Sequence, residues 1–389
     1  MDYEQKSIEL HKKMKGKIEL KSKFPLNTKD DLSVAYTPGV AAVSNLVAKN
    51  PKAAYTHTIK SHTICVLSDG SAVLGLGNIG PLGALPVMEG KAVIFKEFGG
   101  LDAFPICVDT QDKNEIIDFA RKIAPVFGGI NLEDIAAPKC FEIEEALQDL
   151  PIPVMHDDQH GAAVVTLAAL INSAKLSKLK LSDLTVVVNG AGAAGLAITK
   201  LLLDENSEIG TPVKEIIVCD SKGIINQKRQ DLNPYKKEIA KLTNFRDLSG
   251  GLHDALKGAK VFIGFSVAGV LMPEWIKDMA SDPWVFAMAN PLPEIMPQKA
   301  KEAGAYIVGT GRSDFPNQIN NALAFPGIFR GALDSRATKI TKKMKIAAAM
   351  ALANFVGEPS PERVLPSPLE QGVHEAVASS VMRAAMSTD

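Results

Sequence analysis

The sequence lacks the cysteine pairs that a zinc site or a disulfide framework would need. Its four cysteines, Cys65, Cys107, Cys140 and Cys219, lie far apart, and none of them belongs to a CxxC motif. Isolated cysteines in or beside apolar stretches are typical of reduced core positions in a cytosolic protein. We therefore expect a cytoplasmic protein.

The sequence also lacks an excess of either charge, an apolar leader and an uninterrupted apolar run. It has 43 Lys and Arg residues against 44 Asp and Glu residues, a balance that does not favour a nucleic-acid partner. The residues after Met1 are polar, and the most apolar long window, 184–203, is broken by Asn189 and several glycines. We therefore expect neither a secretory signal nor a membrane span.

A glycine fingerprint is the most informative motif that is present. Gly190, Gly192 and Gly195 form a GxGxxG pattern. It follows the β-branched run 185–188, which predicts a buried strand, and precedes the apolar run 196–203, which predicts a helix. In such a unit the first glycine permits a tight turn, the second lets the backbone approach a pyrophosphate, and the third lets the helix pack closely on the strand. The pattern predicts a dinucleotide site at the N-terminus of the helix.

The next predicted strand indicates how the coenzyme is held. Residues 215–219 are apolar and end in Asp220, which we expect to hydrogen-bond the adenosine ribose. Its charge would repel a 2′-phosphate, which favours NAD. Ser221 and Lys222 could accommodate that phosphate, so NADP stays the alternative. Further cofactor contacts are predicted at the start of the helix and at later strand ends: Ala193, Ala194, Ser266 and Asn290.

Carboxylates follow three predicted strands in the first half of the chain. The carboxyl ends of strands in an open α/β sheet are where ligands bind. Glu133, Asp134 and Asp158 form an all-oxygen set, which suits Mg²⁺ or Mn²⁺. Acids at strand ends can also be helix N-caps, as we expect for Asp109. The spacing alone does not separate a metal site from capping acids.

Lys91 and Tyr36 are candidate proton-transfer groups. Lys91 lies in an apolar stretch, where burial disfavours its charged form and a nearby divalent cation would lower its pKa further. Both effects would make it a general base. The alternative is a surface lysine, an interpretation that fits Lys96 better. Tyr36, in a turn bounded by proline and glycine, is either a general acid or a packed aromatic.

Taken together, these blocks resemble the malic enzyme family, in its short prokaryotic form. The segments that carry the resemblance occur in the family's order over residues 20–385: 34–40, 68–70, 75–80, 89–91, 132–135, 156–161, 289–291 and 320–327.

The resemblance implies oxidative decarboxylation of L-malate to pyruvate and CO₂ with a nicotinamide dinucleotide and a divalent metal. It implies Lys91 as general base, Tyr36 as general acid, and Asp157 as a group that orients Lys91 or a metal-bound water. It also implies a homodimer. The implied ligands of the metal are Glu133, Asp134 and Asp158, and Asn290 and Asn320 would line the malate and nicotinamide crevice.

The expected fold class is α/β, with two domains and C-terminal helices. Residues 1–163 would form the N-terminal malate- and metal-binding domain, and residues 164–335 a Rossmann-type, doubly wound parallel-sheet domain that binds NAD(P). Residues 336–389 would form helices that pack back on the N-terminal domain or on a partner subunit.

Two positions depart from longer members of the family. Ser71 and its neighbours stand where those members carry an arginine for the substrate carboxylate, and Ala162 stands in place of a threonine that contacts the cofactor. The alternatives to a malic enzyme are a malolactic-type enzyme that releases lactate, a catalytically silent dinucleotide-binding regulator and an amino-acid dehydrogenase.

Overall fold

The computed structural model describes residues 3–203 and 213–387. Within these ranges the helices are α1 (Tyr3–Met14), α2 (Lys29–Ala35), α3 (Val40–Lys49), α4 (Ala54–His57), α5 (Gly80–Gly99), α6 (Lys113–Ile123), α7 (Lys139–Ala146), α8 (Asp157–Ser177), α9 (Ala193–Leu202), α10 (Pro234–Leu242), α11 (Leu252–Leu256), α12 (Pro273–Ile276), α13 (Pro297–Glu302), α14 (Phe325–Asp334), α15 (Lys342–Phe355) and α16 (Val373–Met386). The strands are β1 (Thr63–Ser68), β2 (Asp102–Cys107), β3 (Gly129–Leu132), β4 (Val154–His156), β5 (Thr185–Asn189), β6 (Glu215–Asp220), β7 (Gly223–Ile224), β8 (Val261–Gly264), β9 (Trp284–Ala287) and β10 (Ile307–Thr310).

The first sheet is parallel throughout and has the order β2-β1-β3-β4. Every residue of β1, β3 and β4 is buried, which agrees with their largely apolar sequences. The chain runs from β1 to β2 on one side and then crosses to β3 on the other side of β1. This reversal of direction opens a crevice at the carboxyl ends of β1 and β3.

The second sheet has the order β10-β9-β8-β5-β6-β7, and only the short edge strand β7 runs antiparallel. The predicted α/β class with a doubly wound parallel sheet is confirmed. The direction of the strand order reverses between β5 and β8, so the glycine turn after β5 faces the ends of β8 and β9.

Helix α8 joins the two sheets. It is apolar nearly all round and buried along most of its length, as expected of a helix inside a core. The boundary predicted between residues 163 and 164 falls inside this helix. The C-terminal helices close over it: α15 packs on α8, and α16 packs on α14, α15 and α5.

An aromatic cluster ties the C-terminal part to the N-terminal domain. The Phe95 ring in α5 lies 4.7 Å from the ring of Phe325 and 5.5 Å from that of Phe329, both in α14 and both edge-on. All three side chains are fully buried. The contact fixes the position of α5, which carries Lys91.

No helix within residues 3–203 and 213–387 has both the length and the apolar composition to cross a membrane.

Phe329→Ala is expected to lower the free energy of unfolding by about 3–5 kcal/mol, because it removes a fully buried ring and leaves a cavity in this cluster. Chemical denaturation measures the loss. The matched control is Phe245→Ala, whose ring is 72% exposed, with an expected change within about 0.5 kcal/mol. Equal effects of the two substitutions would contradict the assigned core.

Candidate active site

A cleft of about 710 Å³ lies between the two sheets. The N-terminal domain contributes four of the predicted site residues to its lining: Lys91, Glu133, Asp134 and Asp158. The second domain and the segment that follows it contribute seven: Gly192, Ala193, Ala194, Gly195, Ser266, Asn290 and Asn320. Tyr36, Asp157, Gly190 and Asp220 do not line the cleft.

Lys91 lies at the floor of the cleft among carboxylates. Its Nζ is 2.8 Å from Glu133 Oε1 and donates a hydrogen bond to Asp157 Oδ2. Asp157 is fully buried beneath it, at the first position of α8. On its other side Lys91 Nζ lies 4.3 Å from the centre of the Phe325 ring. These contacts hold the amine in one position.

The protein groups around Lys91 act against the lowered pKa that the sequence predicts from burial and a nearby cation. Burial alone would lower it, but Asp157, Glu133 and Asp158 outweigh burial and raise the pKa of Lys91 above its ordinary value. The expectation weighed burial and a cation, and it missed the three carboxylates that the fold brings to the amine.

Glu133, Asp134 and Asp158 converge as the strand ends predicted. One carboxylate oxygen from each lies within 4.8 Å of the others. Burial, reinforced by repulsion from Asp158 and Glu133, raises the pKa of Asp134 to about 9. Burial, reinforced by repulsion from Asp157, raises the pKa of Asp158 to about 6. Asp134 Oδ2 is buried and has no hydrogen-bond partner among the described residues.

These observations fit a hard divalent cation. An all-oxygen set of crowded carboxylates, one with an unsatisfied oxygen, suits Mg²⁺ or Mn²⁺. The two histidines near the third acid do not enlarge the set. His156 Nε2 lies 3.3 Å from Asp158 Oδ2, outside the group of three carboxylates, and His160 lies against Glu144 and Lys345.

Three supporting residues escaped the sequence analysis. Glu144 accepts hydrogen bonds from the His156 backbone N–H and from the Gln159 side chain, each at 3.0 Å, and so fixes the turn that carries Asp157 and Asp158. Asn131 Nδ2 donates to Glu133 Oε2 at 2.8 Å. Asn131 could have been found from the sequence, because it is a lone amide in an apolar predicted strand. Nothing in the sequence pattern singles out Glu144.

The third is Glu294. One of its oxygens accepts from the backbone N–H of Ser266 at 2.8 Å, and the other accepts from the N–H of Ala289 at 3.0 Å. This fully buried carboxylate joins the loops after β8 and β9, which carry Ser266 and Asn290.

The glycine turn has the backbone that the fingerprint requires. Gly190 has a φ of +116°, and a Cβ there would lie 2.3 Å from the Phe265 carbonyl oxygen. A Cβ at Gly195 would lie 1.9 Å from the Gly190 carbonyl oxygen, whereas one at Gly192 would meet nothing within 4 Å. Helix α9 starts at Ala193 without a side-chain cap. Its free N–H groups and the open space at Gly192 fit a pyrophosphate.

Comparison with known proteins assigns the family. A family model described as "Malic enzyme, N-terminal domain" matches residues 15–118, and one described as "Malic enzyme, NAD binding domain" matches residues 159–386. The chain belongs to the malic enzyme family.

Similar proteins cover nearly the whole chain. The bifunctional malic/malolactic enzyme of Bacillus subtilis is 53% identical over 100% of this chain and 94% of its own. The NAD-dependent malic enzyme of Geobacillus stearothermophilus is 55% identical over 96% of this chain and 77% of its own. The crystal structure of the NAD-dependent malic enzyme of Thermotoga maritima superposes with a TM-score of 0.92, at 51% identity over 97% of this chain and 98% of that one.

Mn²⁺ is expected to stabilise the protein through the three carboxylates of this malic-enzyme site. At about 100 times its Kd it would raise the free energy of unfolding by about 2.7 kcal/mol. Asp134→Asn should abolish most of that gain, and asparagine tolerates the φ of +53° at this position. Thermal unfolding with Mn²⁺ and with chelator measures the effect.

Asp109→Asn is the matched control, because Asp109 is an exposed strand-end acid outside the set. It should respond to Mn²⁺ as the unsubstituted protein does. An undiminished response in Asp134→Asn would contradict the metal site.

Proposed function

We propose that the protein oxidatively decarboxylates L-malate to pyruvate and CO₂ with reduction of NAD or NADP, and that Lys91 is its general base. The observation that carries the proposal is the meeting of Lys91, the three carboxylates and the glycine turn in one cleft. A dinucleotide bound at the glycine turn would supply the hydride acceptor for C2 of malate, and Glu133, Asp134 and Asp158 would hold a cation able to polarise the C2 oxygen.

In this proposal the chain's own residues hold the substrate and move its protons. Lys91 takes the proton of the C2 hydroxyl, and Asp157 holds the amine in position through their hydrogen bond. Glu133 and Asp158 would be shared with a bound cation, whose positive charge would favour the neutral form of the Lys91 amine. Asn290 and Asn320 offer amide N–H groups to the malate carboxylates, where longer relatives use an arginine. Tyr36 protonates C3 of the enolate after CO₂ has left.

Malate turnover with NAD and with NADP, followed by nicotinamide absorbance and a separate pyruvate assay, tests the activity. Lys91→Ala should lower kcat by about 10²- to 10⁴-fold, the range for loss of a general base, while NADH still binds. Lys96→Ala is the matched control on the same helix, since Lys96 is exposed and pairs with Asp102 at 2.6 Å. Activity of Lys91→Ala close to that of Lys96→Ala would contradict the assignment.

A second candidate product is lactate. The Bacillus subtilis relative is named a bifunctional malic/malolactic enzyme, and release of lactate would use the same lysine, metal and dinucleotide. Malate consumption without net reduction of the coenzyme, accompanied by lactate, would favour this reading over pyruvate release.

We also propose a homodimer in the cytoplasm, in which the partner covers the N-terminal segment, residues 3–50. Helices α1, α2 and α3 bury none of their residues within the single chain. Apolar side chains of this segment, such as Leu20 and Leu26, are more than half exposed. Tyr36 lies on the same surface, 68% exposed. A second copy would both cover these groups and receive Tyr36 in its cleft. The four free cysteines fit a reducing compartment.

Subunit hybrids test this arrangement. Tyr36→Phe and Lys91→Ala should each be inactive alone. Mixed by co-expression they should regain about a quarter of the wild-type activity, because in a two-fold dimer each hybrid contains one site with both groups intact. Absence of any recovery in hybrids that are shown to form would contradict a shared site.

A further inference from the structure

Asp220, at the carboxyl end of β6, has no acceptor site left for a ribose hydroxyl. Arg229 Nη1 donates to its Oδ1 at 2.8 Å, and Arg229 Nη2 donates to its Oδ2 at 3.1 Å. Lys236 Nζ donates to Oδ2 at 2.7 Å, and the backbone N–H of Lys222 donates to Oδ1 at 3.0 Å. An ionised carboxylate offers about four acceptor sites, and these four donors occupy them.

Asp231 binds the same cations from the other side. Arg229 Nε donates to its Oδ1 at 3.0 Å, and Arg229 Nη2 to its Oδ2 at 2.8 Å. Lys222 Nζ lies 3.0 Å from Asp231 Oδ2. We call these five residues the β6 cluster: Asp220, Lys222, Arg229, Asp231 and Lys236. It contains three cations and two carboxylates, so it carries one net positive charge.

The ionisation of Asp220 is secured by its partners. Burial by itself would raise the pKa of Asp220, but the hydrogen bonds from Arg229 and Lys236 outweigh burial and lower it. The Asp220 carboxylate is therefore charged at neutral pH, and the cations of the cluster compensate its charge. The repulsion toward a 2′-phosphate that the sequence predicted for Asp220 is offset within the cluster.

The position of the cluster matches the adenosine end of the coenzyme. Strand β6 pairs with β5, whose end carries the glycine turn. In dinucleotide-binding folds the end of the second strand faces the ribose, and an arginine there accommodates a 2′-phosphate. Lys222 is exposed over 67% of its side chain, and Lys236 over 23%. Both can therefore reach an incoming anion.

We infer that Lys222, Arg229 and Lys236 form a 2′-phosphate site, so that the protein takes NADP as well as NAD and the cluster, not Asp220 alone, sets its coenzyme preference. This inference rests on the proposed function, which places a dinucleotide in the cleft. Arg229 is a positioning residue, because its planar guanidinium group hydrogen-bonds both Asp220 and Asp231. Lys222 and Lys236 are the groups that contact the phosphate.

Coenzyme binding in the absence of malate tests the inference. Dissociation constants for NADPH and NADH are measured by nicotinamide fluorescence, and adenosine 2′,5′-bisphosphate and AMP serve as competing probes. The wild-type protein should bind NADPH within about tenfold of NADH. Lys222→Ala and Lys236→Gln should each weaken NADPH by about five- to tenfold, the loss expected for one charge-assisted contact, and NADH by less than about twofold.

Lys228→Ala is the matched control. Lys228 precedes Arg229 in the loop after β7, is 77% exposed, and pairs with Asp247 outside the cluster. Lys228→Ala removes one positive charge, as Lys222→Ala does, and should leave the ratio of the NADPH and NADH dissociation constants unchanged. Because Lys222 is exposed, its substitution reports on the phosphate without disturbing the fold.

A wild-type preference for NADH of more than about a hundredfold would overturn the inference, as would equal weakening of both coenzymes in Lys222→Ala and Lys236→Gln. The two failures are distinguishable. If the protein binds NADPH and NADH as expected but does not turn over malate, the proposed function is contradicted. If it turns over malate but substitution of these lysines leaves the ratio of the NADPH and NADH dissociation constants unchanged, only the 2′-phosphate site is contradicted.

Discussion

Burial of four carboxylates around one ammonium group is the constraint on which the rest of the structure depends. Glu133, Asp134, Asp157 and Asp158 are far from ordinary surface acids, since their burial and mutual repulsion raise their pKa values. Charges of one sign are buried together only when positive charge compensates them. Lys91 supplies part of that compensation, and a divalent cation suits the remainder.

The scaffold serves this arrangement through a few rigid contacts. The aromatic cluster of α5 and α14 sets the position of Lys91 from one side. Glu144 sets the start of α8 from the other. In the second domain Glu294 performs a similar task for the loops after β8 and β9. Buried polar groups of this kind are satisfied by several donors at once, so they specify one geometry.

The carboxyl end of β6 follows the same principle with the signs reversed. A carboxylate at the end of β6 is a common mark of NAD binding, but its meaning depends on what surrounds it. Here Arg229 and Lys236 form ion pairs with Asp220. The acid becomes the anchor of a basic cluster.

The class of fold, the glycine turn and the set of strand-end acids could be predicted from the sequence alone. These features are local: β-branched runs, glycine spacing and carboxylates at the ends of strands follow from short stretches of chain. Four features emerged only in the tertiary structure: the direction of the Lys91 pKa, the role of Glu144, the exposure of Tyr36 and the occupation of Asp220. Each depends on which groups the fold brings together, even where they lie only 9 residues apart, as Arg229 and Asp220 do. Asp157 reaches Lys91 from 66 residues away, and electrostatic energies depend on distance in space, which no local pattern encodes.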